Sequence, residues 1–309
     1  MTPMPSVSVV MSVYNGASQL RATLDSIAAQ TFTDYELIVV DDGSADATAE
    51  ILAEYLARDA RIRVVRQENA GLTRALIAGC GVATAPVIAR HDCGDRSHPE
   101  RLRRSFELLT GDTVLVACET KFFAPGGEEL GTTEHHRRDV RESLLHSNDP
   151  AGLPHHGAAM FRTDAYRRAG GYRAEFYFAQ DLDLWLRLAK LGDIAIVPEP
   201  LYEARIDVHT ISSTHRPEQV ALTRIALQLR ATTNDEETAR LLAEAARIRP
   251  SRKPRRRSAR GEARALYFIG SWLRKSGNPR WKSYISAAVR RNPLHAAAWL
   301  KLLLYGRQR

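Results

Sequence analysis

The sequence predicts an α/β protein, a mainly parallel sheet flanked by helices, with a mostly α-helical extension behind it. Residues 7–13 (VSVVMSV) and 37–40 (LIVV) are continuous apolar runs of strand length, as strands buried on both faces require. Between them Leu20, Leu24, Ile27 and Ala28 recur at helical spacing. Strand, helix and strand in this order form a βαβ unit. From Pro217 onward the periodicity is almost wholly helical.

The alternation continues in order along the chain. A helical segment at 46–58 carries Ile51, Leu52, Tyr55 and Leu56, followed by a strand at 62–66, a helix near 72–83, a strand at 86–91 and a short strand at 114–118. This is the signature of a parallel sheet covered by helices. The pattern then becomes irregular through a Gly-rich turn at 125–127 and a polar stretch to Pro154, before a helix at 181–191, DLDLWLRLAKL. Ligands of such sheets bind beyond the carboxyl ends of the strands. Those ends read Tyr14-Asn15-Gly16, Asp41-Asp42-Gly43-Ser44 and Asp92-Cys93-Gly94-Asp95.

The 309 residues carry a formal net charge of +8, but the charge is divided. Residues 1–215 hold 22 basic and 30 acidic residues, and 216–309 hold 22 and 6. We therefore expect one large acidic domain at 1–215 and a basic helical region at 216–309, with a linker at 250–260 where PSRKPRRRSAR places six basic residues and two prolines. Three cysteines with no CxxC pair argue against a zinc ribbon and a disulfide framework. No stretch approaches the roughly 18 uncharged apolar residues of a membrane span, so the expected compartment is the cytoplasm.

Carboxylates from Asp41, Asp42, Asp92 and Asp95 converging on one crevice would repel each other unless a cation binds there. A hard divalent ion, Mg2+ or Mn2+, is the natural occupant, and it brings the phosphates of a nucleotide diphosphate with it. Read singly, Asp-Asp-Gly-Ser is also an ordinary turn with a helix cap. The chain has neither a GxGxxG after its first strand nor a GxxxxGK[ST], so no phosphate-cradling glycine loop is present.

The segment SVVMSVYNGASQLRATLDSIAAQTFTDYELIVVDDGSADAT resembles the opening of family 2 glycosyltransferases nearly position for position. NAGLTRALIAG at 69–79, HHGAAMFRTDAYRRAGGYR at 155–173 and AQDLDLWLRLAKLGD at 179–193 resemble the same family in the same order. Together they cover about 1–212 and imply the GT-A fold. The resemblance implies that Val13 and Tyr14 border the nucleotide base and that Asp41 hydrogen-bonds it. Tyr14 is otherwise a turn aromatic. Arg74 would approach base or diphosphate, or simply stand on an exposed helical face.

The family's metal motif is usually Asp-x-Asp-Asp, and here Gly94 occupies its third position. Three outcomes stay open: Asp95 turns inward beside Asp92, the metal is held weakly by Asp92 and water, or it is dispensable. A Cys93 thiolate does not suit this hard site. Asp181 matches the family's catalytic carboxylate, which takes the proton of an acceptor hydroxyl as its oxygen attacks the anomeric carbon. Asp183 is the better candidate for a helix cap. His156 and Arg205 match positions that border donor sugar, acceptor and diphosphate, His155 reads as a solvent-exposed loop residue, and the role of His209 is open. No QxxRW follows the base, so one sugar per encounter is expected.

The resemblance thus implies an inverting, metal-assisted glycosyltransferase that moves one sugar from a UDP- or dTDP-type donor to a glycan or lipid-linked acceptor in cell-surface polysaccharide synthesis. Gly94 keeps a rival open, a sugar-nucleotide-binding pseudoenzyme. The basic tail keeps another, a nucleic-acid adaptor, although arginines without interleaved aromatics are weak evidence for nucleic acid. For 250–309, with 16 basic residues and one acid, the alternatives are contact with the anionic inner membrane, as a peripheral cytoplasmic protein, and helical packing or oligomer contact.

Overall fold

A computed structural model describes residues 4–137, 139–148, 153–206, 216–250 and 259–305. The apolar runs become parallel strands β1 (Val7–Val13), β2 (Tyr35–Asp41), β3 (Ile62–Arg66) and β4 (Val87–Asp92). Helices α1 (Ala17–Ala28), α2 (Thr48–Leu56) and α3 (Leu72–Gly81) connect them. β1 lies between β2 and β4 because its core side chains Val9, Val10 and Met11 are buried on both faces, which only a central strand allows.

The remainder of the sheet is antiparallel. After β5 (Arg96–Ser97) and α4 (Arg101–Glu107) come β6 (Thr113–Phe123), β7 (Glu129–Thr132) and α5 (Val140–His146). β8 (Ala159–Arg162), α6 (Thr163–Arg168), α7 (Gln180–Leu188) and β9 (Asp193–Arg205) follow. The strand order is β3-β2-β1-β4-β8-β6-β9-β5, with β7 paired to β6. The sheet is therefore mixed, its parallel half the part that the periodicity predicted.

Packing divides the chain into two compact units. The first comprises 1–120, 133–203 and 221–248, and the second 121–132, 204–220 and 249–309. The expected boundary at 215 differs from this division. Helices α8 (Arg216–Ala231) and α9 (Asp235–Arg247) place Leu222, Ile225, Ala226, Leu241 and Ala245 in the same apolar core as Leu115, Phe161 and Trp185. The reason is apolar spacing: those five side chains form one stripe per helix, and a stripe must be covered. Of the expected linker at 250–260, residues 251–258 lie outside the described residues.

The second unit contains α10 (Ala259–Lys275), α11 (Trp281–Arg291) and α12 (Ala296–Tyr305). Ile269, Leu273, Trp281, Ile285 and Ala298 make its own small core with Ala124 and Leu130. Among the described residues no helix is long and apolar enough to cross a membrane.

Trp185 anchors the first core, fully buried, with edge contacts to His156 and Phe161 at ring-centroid separations of 5.8 and 5.9 Å. Trp185→Ala should cost about 3–5 kcal/mol of unfolding free energy, read from urea denaturation.

Candidate functional site

Parallel pairing brings the strand ends to one edge of the sheet. Val13 stands opposite Asp41 and Ser12 opposite Asp92, so Val13, Asp41 and Asp92 share the carboxyl edge of β1, β2 and β4. Tyr14, next along, is 56% exposed, its ring free to meet a ligand. Asn15 adopts a left-handed φ of +50°, which its short polar side chain tolerates. Its Oδ1 accepts from Ala45 N at 2.8 Å and its own N–H donates to Ser44 Oγ at 2.9 Å, lacing the two loops together.

The two neighbouring aspartates at the end of β2 do different work. Asp42 is buried, and its carboxylate accepts from Gln67 Nε2 at 2.6 Å and from the backbone N–H groups of Ala70 and Gly71 at 2.9 Å each. It fixes the start of α3, on whose first turn Arg74 is exposed. Asp41 accepts from Ser44 N at 3.0 Å and lies 3.5 Å from Arg66 Nε.

Beneath Asp92 sits Arg90, 0% exposed, on the same face of β4 two residues earlier. Its guanidinium donates to Asp92 Oδ1 at 2.5 Å, to the carbonyls of Val10 and His91 at 2.6 and 2.9 Å, and to His156 Nε2 at 3.3 Å. Burial pushes Asp92 up, but the Arg90 charge prevails and brings it down to about 2. A second buried arginine, Arg101, donates to the carbonyls of Arg90 and Gly157 at 2.6 and 2.8 Å and lies over the Tyr202 ring. Neither arginine was singled out from sequence. For Arg90 a signal existed: an ionisable pair two residues apart, hence on one face, in an otherwise apolar strand.

The two histidines of the 155–157 segment part company. His156 is buried, its Nε2 bonded to Tyr172 Oη at 2.7 Å as well as to Arg90, and burial with the Arg90 charge lowers it to about 3. It is a neutral acceptor that holds Arg90 in place. His155, expected in solvent, is only half exposed and offers a ring nitrogen to a group with carboxylate oxygens of Asp92 and Asp95, all within 4.8 Å of one another. Gly157 permits this approach, because a Cβ there would lie 2.1 Å from Tyr202 Oη and 2.9 Å from Asp92 Oδ2.

Two carboxylates of one turn and an imidazole from a separate segment are a donor set that suits a divalent cation. Gly94 has φ +103°, a conformation that disfavours any side chain, and a Cβ would fall 2.3 Å from Gln19 Oε1. Its glycine is thus a demand of the backbone. Burial pushes the Cys93 thiol up to about 12, so its thiolate is disfavoured.

Asp181 occupies the first turn of α7, half-buried, accepting from the Leu182 N–H at 2.9 Å. Burial raises its pKa, the Asp92 charge adds to the rise, and Arg90 opposes it. Ala179 immediately before this helix is held left-handed at φ +55°, a strain of about 1–2 kcal/mol that the surrounding packing sustains. Asp183 is bound by Arg187 at 2.5 Å and Arg173 at 3.1 Å, a structural ion pair. Arg205, the exposed last residue of β9, belongs to the second unit, and His209 lies outside the described residues.

Removing the fully buried Arg90 would leave the half-buried Asp92 carboxylate without its cation, and two main-chain carbonyls and His156 without their donor. Arg90→Met should lower stability by about 3–5 kcal/mol in urea titration, whereas a surface arginine such as Arg58 should cost less than about 1 kcal/mol.

Residues 8–170 match the family model described as Glycosyl transferase family 2. A Bacillus subtilis (strain 168) protein named as a glycosyltransferase, EpsE, is 33% identical over 217 residues, which are 66% of this chain and 74% of that protein. Among solved structures, S. aureus TarS 1–349 in complex with UDP-GlcNAc matches with a TM-score of 0.58 at 17% identity, over 96% of this chain and 92% of that one. A mannosyltransferase, PcManGT from Pyrobaculum calidifontis, in complex with GDP-Man and Mn2+, matches with a TM-score of 0.59 at 18% identity, over 99% of this chain and 89% of that one. These two likenesses establish the GT-A fold. The chain belongs to glycosyl transferase family 2 and is a glycosyltransferase.

Proposed function

We propose that the protein is an inverting enzyme that moves one sugar from a UDP- or dTDP-type nucleotide-diphosphate donor to a glycan or lipid-linked acceptor. The observation that carries this reading is Asp181, a half-buried carboxylate whose pKa is raised and which lies within electrostatic reach of the Arg90-bound Asp92. A carboxylate so placed is a stronger base than one in water. The solved neighbours support a nucleotide-sugar donor, since those structures hold UDP-GlcNAc and GDP-Man.

In this mechanism Val13 and Tyr14 border the base, Asp41 hydrogen-bonds it, and Arg74 meets the diphosphate. Asp181 accepts the acceptor's hydroxyl proton while that oxygen bonds to the anomeric carbon. The bond from that carbon to the phosphate oxygen breaks on the opposite face, its electron pair leaving with the nucleotide diphosphate, and the configuration inverts. Asp92, Asp95 and His155 would hold a divalent cation, which when bound would supply charge to stabilise the departing diphosphate. His156 acts through Arg90 as a positioning residue. We place the enzyme in the cytoplasm, peripheral to the inner membrane, where a lipid-linked acceptor would present its sugar.

Asp181→Asn should cut released nucleotide diphosphate by about a thousandfold or more while leaving donor affinity within about threefold, since only the base is lost. Unchanged turnover would sink the assignment. In the wild type the active form is the carboxylate, so the rate should fall as pH drops through the raised pKa. That acid limb should lie above 3.8, the ordinary aspartate value, and be absent from the residual rate of Asp181→Asn.

His155→Ala should weaken Mn2+ binding by about tenfold or more in calorimetry on the donor-free protein, with an unchanged melting temperature. Mg2+, which prefers oxygen ligands, should lose less. Equal Mn2+ affinity in variant and wild type would remove His155 from the metal set.

A further inference from the structure

In the second unit, α12 reads AAAWLKLLLY and buries only one stripe of itself. Ala298 is buried in the small core, with Leu302 and Tyr305 packed against it from the same side. Trp299, Leu300, Leu303 and Leu304 stand on the opposite side, 47%, 57%, 72% and 58% exposed, and Leu294 just before the helix is 83% exposed. At 100° per residue these four helical positions sweep an arc of about 140°, an unbroken apolar face. A contiguous apolar patch on a described surface calls for an occupant.

Charge selects among the occupants. Residues 259–305 hold nine Lys and Arg against one acid, Glu262, which is itself buried and engaged 3.1 Å from Arg291. A second copy of this unit would bring a like charge against it, which opposes self-association. Nucleic acid would answer the arginines but leave four large apolar side chains against phosphate and water. An anionic lipid surface answers both. Trp and Leu enter the acyl boundary, and the cations meet the headgroups.

We infer that the exposed face of α12, with Leu294, Trp299, Leu300, Leu303 and Leu304, inserts into anionic phospholipid membranes, and that the cations of residues 259–305 strengthen that binding. The inference deepens the peripheral placement proposed above by naming its contact surface. It uses no residue of the proposed chemistry.

The test is co-sedimentation of the full chain with vesicles of phosphatidylcholine alone or with about a third phosphatidylglycerol, for wild type and Leu300→Gln/Leu303→Gln/Leu304→Gln. The substituted side chains are exposed, and an unchanged far-UV spectrum and melting temperature certify the fold. The wild type should bind the anionic vesicles, less tightly at high salt, and the triple variant should bind more than about tenfold more weakly. No wild-type binding to either vesicle, or equal binding by the variant, overturns the inference. So does a concentration-dependent dimer that the triple substitution dissolves, which would assign the face to a second copy. Donor turnover with a soluble acceptor separates this outcome from the chemistry: it should be equal in the two proteins, and its absence in both would count against the proposed function alone.

Discussion

The site depends on one buried ion pair. Arg90 brings a full positive charge to the middle of a sheet, at a desolvation cost of several kcal/mol that only complete satisfaction offsets. Every nitrogen of its guanidinium has a partner: two main-chain carbonyls, the neutral ring of His156 and the carboxylate of Asp92. Such a group has no freedom to move. Asp92 is therefore ionised and fixed in direction before any ligand arrives, as a preorganised site needs. Arg101 extends the arrangement by pinning the carbonyls of Arg90 and Gly157, and so holds the 155–157 segment against β4.

What could be read from the sequence follows from which forces act locally. The parallel half of the sheet was legible because strands buried on both faces are predominantly apolar, and VSVVMSV and LIVV are. Of the antiparallel half only the start of β6, at 114–118, was legible. β9, DIAIVPEPLYEAR, carries two prolines and four charges, and becomes a strand because β6 and β5 pair with it. Its prolines fall before Leu201, where the two-residue β5 offers no ladder to lose. Arg101 sits in a run with Arg103 and Arg104, and nothing in that run says which arginine is buried. His155 and His156 are equally ambiguous. Adjacent residues leave a chain in different directions, and only the fold decides that one ring meets Arg90 and the other the carboxylates.

The charge division also becomes sharper. Residues 216–249 carry six basic and five acidic residues, close to balance, and their apolar stripes share the core of the first unit. The excess positive charge begins at 250, next to residue 249, where the last segment of the second unit begins. Charge and packing thus change together near 250, some thirty-five residues later than composition alone suggested. A basic surface of this kind bears on where a protein resides more than on what it does, since none of its cations is needed to explain the carboxylate site.

Glycine at the third position of the Asp-x-x-Asp segment looked from sequence like a lost ligand. The backbone gives another account. At φ +103° a side chain would be strained, and Gly94 N donates instead to Thr23 Oγ1 at 3.0 Å, while Thr23 Oγ1 itself donates to the carbonyl of Asp95. This turn fixes the main chain of Asp95, and Gly157 lets His155 approach from the far side. A ligand set can therefore be completed across the chain when it is interrupted along it. On this argument, restoring a carboxylate at position 94 would strain the turn that positions Asp95, and would weaken the proposed cation site it was meant to repair.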